Sequence, residues 1–438
     1  MSLSTSPPHY RSRIVAAAER RAGQGSFGDL GPGALALGEW QALGLDLPDL
    51  AALRRDRLAR LRGQLVARDL AGIVLADPIN LRYATDSPNM QVWCLHNPVR
   101  YAFVATEGPV VLFDFHGCAH LSAHLELVDE VRPARAWYFF NSGPRVAEHA
   151  RAWAVELAGL VRAHGGGSRR VAIDKADRDG VLALEAEGLA LVDGQEVMEL
   201  TRAVKGAEEI RAMRCALATC EAAMQAMRQH LRPGISEQAL WAQLHAANVA
   251  RGGEWIETRL LSSGPRTNPW FQECTSRVIG AGELVGFDTD LIGPYGYCAD
   301  ISRTWLCGDR RASAAQTDLY RLAQEQIAHN LALIRPGLGF RELSERAFRL
   351  PERCRANRYS VIAHGVGLCD EYPAIYYPED VAQTGYDGVL EEQMTVCLES
   401  YVGEEGGAEG VKLEQQVLIT ATGAEVLSTY PFGEEVFG

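Results

Sequence analysis

The sequence predicts a mixed α/β protein in two parts: an N-terminal α/β domain over residues 1–200, led by an irregular arm, and a catalytic domain over residues 201–438. Three observations lead there. Helical and strand patterns alternate from about residue 49 to residue 190, which argues for an α/β layer. The second half opens on a long amphipathic helix. The apolar strands beyond residue 284 carry a set of carboxylates. At roughly 150 residues per domain, 438 residues suggest two or three domains.

The elements follow in order. The first 45 or so residues are weakly patterned and rich in Gly, Ser and Pro. Residues 49–69 place Leu53, Leu58, Leu61 and Leu65 at helical spacing. Gly72 to Ala76 reads as a strand, followed by Pro78, Asn80 and a turn. Tyr101–Thr106 and Val110–Phe115 read as strands joined by Glu107-Gly108-Pro109. Residues 145–163 are helical and Arg170–Asp174 is a short strand. The 207–230 helix has acidic residues in its first turn, which suits the helix dipole. It stops at Arg232-Pro233-Gly234, with Ser236 as the next cap. The helix around 315–334 stops at a second Arg335-Pro336-Gly337, and each such turn is followed by a leucine, Leu240 or Leu343. A coarse internal duplication is one reading of this echo; two helices that happen to end in Pro-Gly is the other.

Composition narrows the function. Apolar residues are 47% and charged residues 23%, as in an ordinary globular protein. With 43 Lys+Arg against 56 Asp+Glu the net charge is -13, which repels phosphate backbones and makes nucleic acid an unsuitable partner. The ten cysteines form no CxxC pair and read as reduced. The first residues lack an apolar signal-peptide core, and no run of about 18 apolar residues spans a membrane. The expectation is a cytoplasmic protein.

The chemistry concentrates around Asp288-Thr289-Asp290 and Cys298-Ala299-Asp300, which read as two arms of a hairpin. Asp288 and Asp290, two apart on a strand, would share a face, and Asp300 would join them across the turn. Such a group repels itself unless a cation lies between. A solvated acidic face is the bland reading; Val285, Phe287, Ile301 and Trp305 argue for burial. Glu399 and Glu414 sit in apolar strand-like runs, and His364 lies between small residues in Ala363-His364-Gly365. Five or six carboxylates and one imidazole suit two bridged divalent ions, with Mn, Fe, Co or Zn open.

On these residues the C-terminal half resembles the pita-bread fold of methionine aminopeptidase, Xaa-Pro aminopeptidase, prolidase and creatinase. The match starts near Val204-Lys205-Gly206. It rests on Asp with Asp-x-x-Arg-Thr, on His-Gly-x-Gly, and on two strand-borne glutamates about fifteen residues apart. The resemblance implies that Asp288, Asp300, His364, Glu399 and Glu414 are metal ligands, and that the protein is a homodimer. Asp290 stands where the motif normally has Gly and is read as an extra ligand.

Two departures set the chain apart from the peptidases. Where those carry a histidine after Asn-x-x-x-Pro, this sequence has Asn268-Pro269-Trp270-Phe271. Where they carry Val-His-Glu-x-Pro, it has Cys369-Asp370-Glu371-Tyr372-Pro373. The ligands are intact and the proton-handling histidines are gone. These departures resemble the DddP-type lyases of dimethylsulfoniopropionate (DMSP). The resemblance implies β-elimination to dimethyl sulfide and acrylate. In it the ions, iron first among them, bind the carboxylate and Asp370 removes the α-proton. Trp270, Phe271 and Tyr359 would hold the sulfonium by cation–π attraction, with His364 beside the substrate. Trp93 and Trp137 are candidates for closing the pocket. An Xaa-Pro dipeptidase or aminopeptidase using other proton carriers is the alternative. A non-catalytic module is disfavoured because no ligand is missing.

Overall fold

In the computed structural model residues 31–433 and Phe437 are described; most of the sequence-read arm lies outside them. Within that arm, residues 34–42 form a helix that buries Ala36 and Trp40, where the sequence suggested irregular chain. The described chain divides into two compact units. One is residues 49–202; the other is residues 31–48 together with the chain from Ala203 onward. No helix among the described residues is long and apolar enough to cross a membrane.

The first unit is a six-stranded sheet flanked by helices. Its strands are β1 (Gly72–Leu75), β2 (Tyr101–Ala105), β3 (Val110–Asp114), β4 (Glu130–Pro133), β5 (Arg170–Ile173) and β6 (Ala190–Asp193), in the spatial order β4-β3-β2-β1-β5-β6. The central β1, β2 and β3 are buried along their whole length, so they read as continuous apolar runs. The Leu50–Ala67 helix starts at Asp49, whose carboxylate accepts from Ala51 N and Ala52 N at 3.0 Å each. The turn expected at Pro78 is the start of another helix, Pro78–Thr85. Asp77 caps it through Ile79 N at 2.9 Å, and proline is tolerated in a first turn. Trp137 packs in this unit's core, stacked on Trp153 at 4.0 Å with its Nε1 donating to Asp177. It is a packing residue there; Trp93 lies against Phe115 at 5.6 Å.

The second unit carries three antiparallel sheets. The smallest joins β7 (Trp255–Ile256), β10 (Leu291–Ile292) and β11 (Cys298–Ala299). The next joins β8 (Leu261–Ser263), β9 (Leu284–Phe287) and β12 (Arg303–Leu306). The largest has the order β14-β13-β15-β16-β17: β13 is Ala363–Val366, β14 Asp370–Ile375, β15 Thr395–Gly403, β16 Gly410–Thr420 and β17 Gly423–Val426. Packed against these are the Ala207–His230, Glu237–Ala250, Ala314–Leu331 and Phe340–Arg346 helices.

The two Arg-Pro-Gly turns adopt one geometry. Gly234 and Gly337 both take positive φ (94° and 78°), which glycine alone adopts cheaply. Gly234 N donates to Ile279 O and Gly337 N to Leu390 O. Two residues later each chain forms an isolated bridge, Ser236 with Val278 and Gly339 with Val389. Leu240 and Leu343 are both fully buried. The echo in the sequence is thus also an echo in turn geometry.

Candidate metal centre

The expected hairpin is interrupted. β9 pairs with β12 and β10 with β11, but Asp288 to Asp290 and Asp300 to Ser302 lie in the breaks between these ladders. Asp290 has φ +35°, so strand alternation does not operate there. The chain bends instead, and the bend gathers Asp288, Asp290 and Asp300 with carboxylate oxygens within 4.8 Å of one another.

The other ligand candidates come from the large sheet. Glu399 lies in mid-strand on β15, not at a strand end, directly opposite Glu414 on β16. His364 lies on β13 beside β15. Its Nε2 is 3.3 Å from Glu399 Oε1, 3.6 Å from Asp300 Oδ2 and 3.7 Å from Glu414 Oε1. Its Nδ1 lies 3.0 Å from the Gly365 carbonyl, a bond only an Nδ1–H can donate. That hydrogen bond leaves the Nε2 lone pair facing the acids. The glycines after His364 serve β14: a Cβ on Gly365 would stand 2.2 Å from the Tyr372 carbonyl oxygen.

All five carboxylates are buried. Asp300 Oδ1, Glu399 Oε1 and Glu414 Oε1 are buried without a hydrogen-bond partner. A buried carboxylate oxygen without a donor is costly. Two of them, Glu399 Oε1 and Glu414 Oε1, lie with Asp300 Oδ2 around one imidazole nitrogen; with the third orphan, Asp300 Oδ1, they are a donor set for a divalent ion, so the residues fit the metal centre their types suggested. Burial, with Glu414 and Asp288 next, pushes the Asp300 carboxyl well above its usual value. Burial also raises Asp290, beside Asp288 and Asp370, and Glu414, beside Glu399. These groups cannot all ionise without added positive charge.

Lys412 is a member of this site that the sequence reading passed over. It precedes Glu414 by two on β16, so both side chains leave the same face. Its Nζ is 2.5 Å from Glu399 Oε2, 2.6 Å from Ser302 Oγ, 3.2 Å from Asp288 Oδ2 and 3.4 Å from Glu414 Oε2. Burial opposes its charge, but Asp288, Glu399 and Glu414 hold it well above the ordinary lysine value. In turn, and against burial, Lys412 helps hold Asp288 down to about 2. Strand alternation around Glu414 was the signal available in the sequence.

Asp370 opens β14, with its side chain half exposed and its Oδ1 3.7 Å from His364 Nδ1. Burial raises its carboxyl, His364 counters this, and Asp288 and Glu399 add to the rise. The next residue, Glu371, is ion-paired with the buried Lys205, which anchors this strand end. The aromatic residues divide. Phe271 is 56% exposed and stacks on Tyr359 at 5.2 Å. Trp270 is buried beside Tyr401 at 5.9 Å. The rings of Tyr359 and Trp270 lie 4.6 Å and 5.8 Å from the Lys412 ammonium.

Comparison with known proteins agrees with this geometry. Residues 211–421 match the model of metallopeptidase family M24. Over 415 residues the chain is 47% identical to the dimethylsulfoniopropionate lyase DddP of Roseovarius nubinhibens, covering 94% of this chain and 93% of that protein. It is 46% identical over the same length to the Roseobacter denitrificans enzyme of that name, with the same coverage. Among solved structures, the Xaa-Pro dipeptidase from Bacillus anthracis superposes with a TM-score of 0.69 at 20% identity, covering 86% of this chain and 98% of that one. The Pyrococcus horikoshii prolidase gives 0.67 at 18% identity, covering 86% and 99%. At that identity the likeness is one of fold.

Proposed function

The chain belongs to the family of the dimethylsulfoniopropionate lyases DddP, within metallopeptidase family M24, and from that premise we propose that it is a metal-dependent DMSP lyase. The reaction is a β-elimination that yields dimethyl sulfide and acrylate. The observation that carries this reading is the half-exposed carboxylate of Asp370 standing beside His364 at the edge of a buried acid cluster. Asp288, Asp290, Asp300, His364, Glu399 and Glu414 would hold two divalent ions, iron first, with Mn, Co and Zn as alternatives. Bound there, the ions supply positive charge to the substrate carboxylate and to the negative charge that builds on it.

The remaining roles belong to side chains. Asp370 takes the proton from the α-carbon. The electron pair of that C–H bond forms the carbon–carbon double bond, and the β-carbon–sulfur bond breaks to release neutral dimethyl sulfide. Asp370, open to solvent, passes its proton to water. A placed general base contributes about 10²–10⁴-fold. His364 orients the acids through its fixed tautomer. Phe271, backed by Tyr359, offers the exposed aromatic face for the sulfonium, at about 0.5–2 kcal/mol. Trp270, buried beside Tyr401, stands over the Lys412 ammonium. We read the protein as a cytoplasmic homodimer acting on a small molecule. Its ten cysteines are free and mostly buried, as a reducing compartment favours.

A headspace assay tests the reading. Purified protein with its metals retained is incubated with DMSP, with an EDTA-stripped control and a Gly-Pro arm. Metal-dependent dimethyl sulfide without proline release is expected. Proline release with no dimethyl sulfide would establish the dipeptidase alternative. In the lyase, Asp370→Asn should cut turnover by about 10²–10⁴-fold with metal content unchanged; near-normal turnover would remove Asp370 from the mechanism.

A further inference from the structure

We propose that Lys412 is the resident cation of the acid cluster: it holds the ligand carboxylates in place before metal arrives and aims their free oxygens. The proposal rests on the metal-centre reading given above.

The division of oxygens carries it. Glu399 and Glu414 each split their two oxygens between two directions. Glu399 Oε2 and Glu414 Oε2 face the Lys412 ammonium, while Glu399 Oε1 and Glu414 Oε1 face His364 Nε2 and have no other partner. Asp288 differs: its Oδ2 faces Lys412 and its Oδ1 accepts from Ser302 Oγ, so the Lys–Ser pair holds both of its oxygens. The ammonium therefore occupies oxygens that the orphan set does not need. It fixes the rotation of each carboxylate by holding the far oxygen.

The lysine is built to stay. Its backbone is pinned on both sides by Thr304 Oγ1, which accepts from Lys412 N at 2.9 Å and donates to Lys412 O at 2.9 Å. Its side chain is fully buried. An ammonium has three donors; here they meet Ser302, Glu399, and the neighbouring oxygens of Glu414 and Asp288. The rings of Tyr359 and Trp270 cover the ammonium and keep water from it. Ser302 extends the device. Its Oγ lies 2.6 Å from Asp288 Oδ1 and 2.8 Å from Glu414 Oε2, so one Lys–Ser pair ties together carboxylates from three separate strand regions. Without this charge the cluster would lose the ammonium that touches three of its five carboxylates, Asp288, Glu399 and Glu414.

The consequence is a protein that can fold before it is loaded. The test is thermal melting of EDTA-stripped and Mn(II)-loaded protein, with Mn(II) affinity measured by titration calorimetry, for the parent, Lys412→Met and Lys412→Arg. The stripped Lys412→Met protein should melt about 10 °C or more below the stripped parent. The gap should close to a few degrees when Mn(II) is bound, with Mn(II) held about tenfold tighter. Lys412→Arg should restore most of the stripped-state melting. Equal losses in stripped and loaded forms would make Lys412 a packing residue and overturn the proposal; so would no loss in either. If Lys412→Met does not fold, Lys412→Met with Glu399→Gln removes one charge of each sign. Its recovery supports the proposal, and its failure overturns it. Mn(II) that neither binds nor stabilises the parent would instead strike the metal-centre reading, while the stripped-state comparison would still judge Lys412.

Discussion

Both units bury carboxylates, and they treat them in opposite ways. In the first, Asp114 accepts from Arg100 Nε at 3.0 Å and Nη2 at 3.1 Å, and from Phe115 N at 2.7 Å. Asp174 accepts from Ala76 N at 2.7 Å, from Asp77 N, and from Asn80 Nδ2 at 3.0 Å. In the second, Asp300, Glu399 and Glu414 each keep one buried oxygen without a donor, and those of Glu399 and Glu414 are turned towards His364. Burial alone does not separate structural acids from functional ones. The satisfaction of their oxygens does, because a fold has no reason to bury an unsatisfied carboxylate unless something else completes it.

The largest expected effect breaks the contrast from the functional side. Asp300→Asn should lower metal content and cut DMSP turnover by at least about 10³-fold, on the scale of losing a key electrostatic group. The metal-stripped protein should melt no lower than the parent, because a buried repelling charge has been removed. A stripped protein that melts well below the parent would place Asp300 among the structural acids.

The second prediction breaks it from the structural side. Arg100→Met leaves the Asp114 charge buried without its guanidinium, which costs about 3–5 kcal/mol, or roughly 10 °C in melting temperature for a unit of this size. The metal content of the folded protein should not change. A loss of metal with no loss of stability would invert the assignment.

A third prediction sharpens it by pH. Burial pushes Asp174 up to about 7 despite its donors. Its folded value thus exceeds the unfolded one, near 3.9. The stability it contributes is full below about pH 4 and is lost as pH rises to about 7. The parent should therefore lose urea resistance relative to Asp174→Asn between pH 5 and pH 8. Parallel curves for the two proteins over that range would show that Asp174 does not titrate.

The smallest expected effect concerns the wall of the site. Phe271→Leu keeps apolar bulk but removes the ring, and KM for DMSP should rise about 2–30-fold, the equivalent of 0.5–2 kcal/mol, with kcat nearly constant. An unchanged KM would move the sulfonium off this face.

Much of this was legible in the sequence. The 3.6 period of 207–230 gave a helix with those bounds, since local periodicity and a Leu-Arg-Pro-Gly stop suffice. Ser236 caps as expected, through Ala239 N at 3.2 Å. The ligand types and their motif spacing were readable because strand-borne carboxylates in apolar runs are unusual. The Pro78 helix was not, because proline marks a turn and a helix start equally well. The continuous Asp288–Asp290 strand was not either. A residue at positive φ breaks alternation without announcing itself in its side chain.

The sequence by itself determined the donor types, the absence of the peptidase histidines, and the strands that carry Glu399 and Glu414. Only the tertiary structure decided which oxygens are free. Lys412, Ser302, Asp288 and Glu399 come from separate segments, and whether an oxygen has a donor depends in part on contacts across more than a hundred residues, such as Lys412 with Ser302 and Asp288 and Ser302 with Glu414. Local patterns fix elements. Hydrogen-bond satisfaction is a property of the packed whole, and here it distinguishes the acids that build the protein from those read as holding its metal.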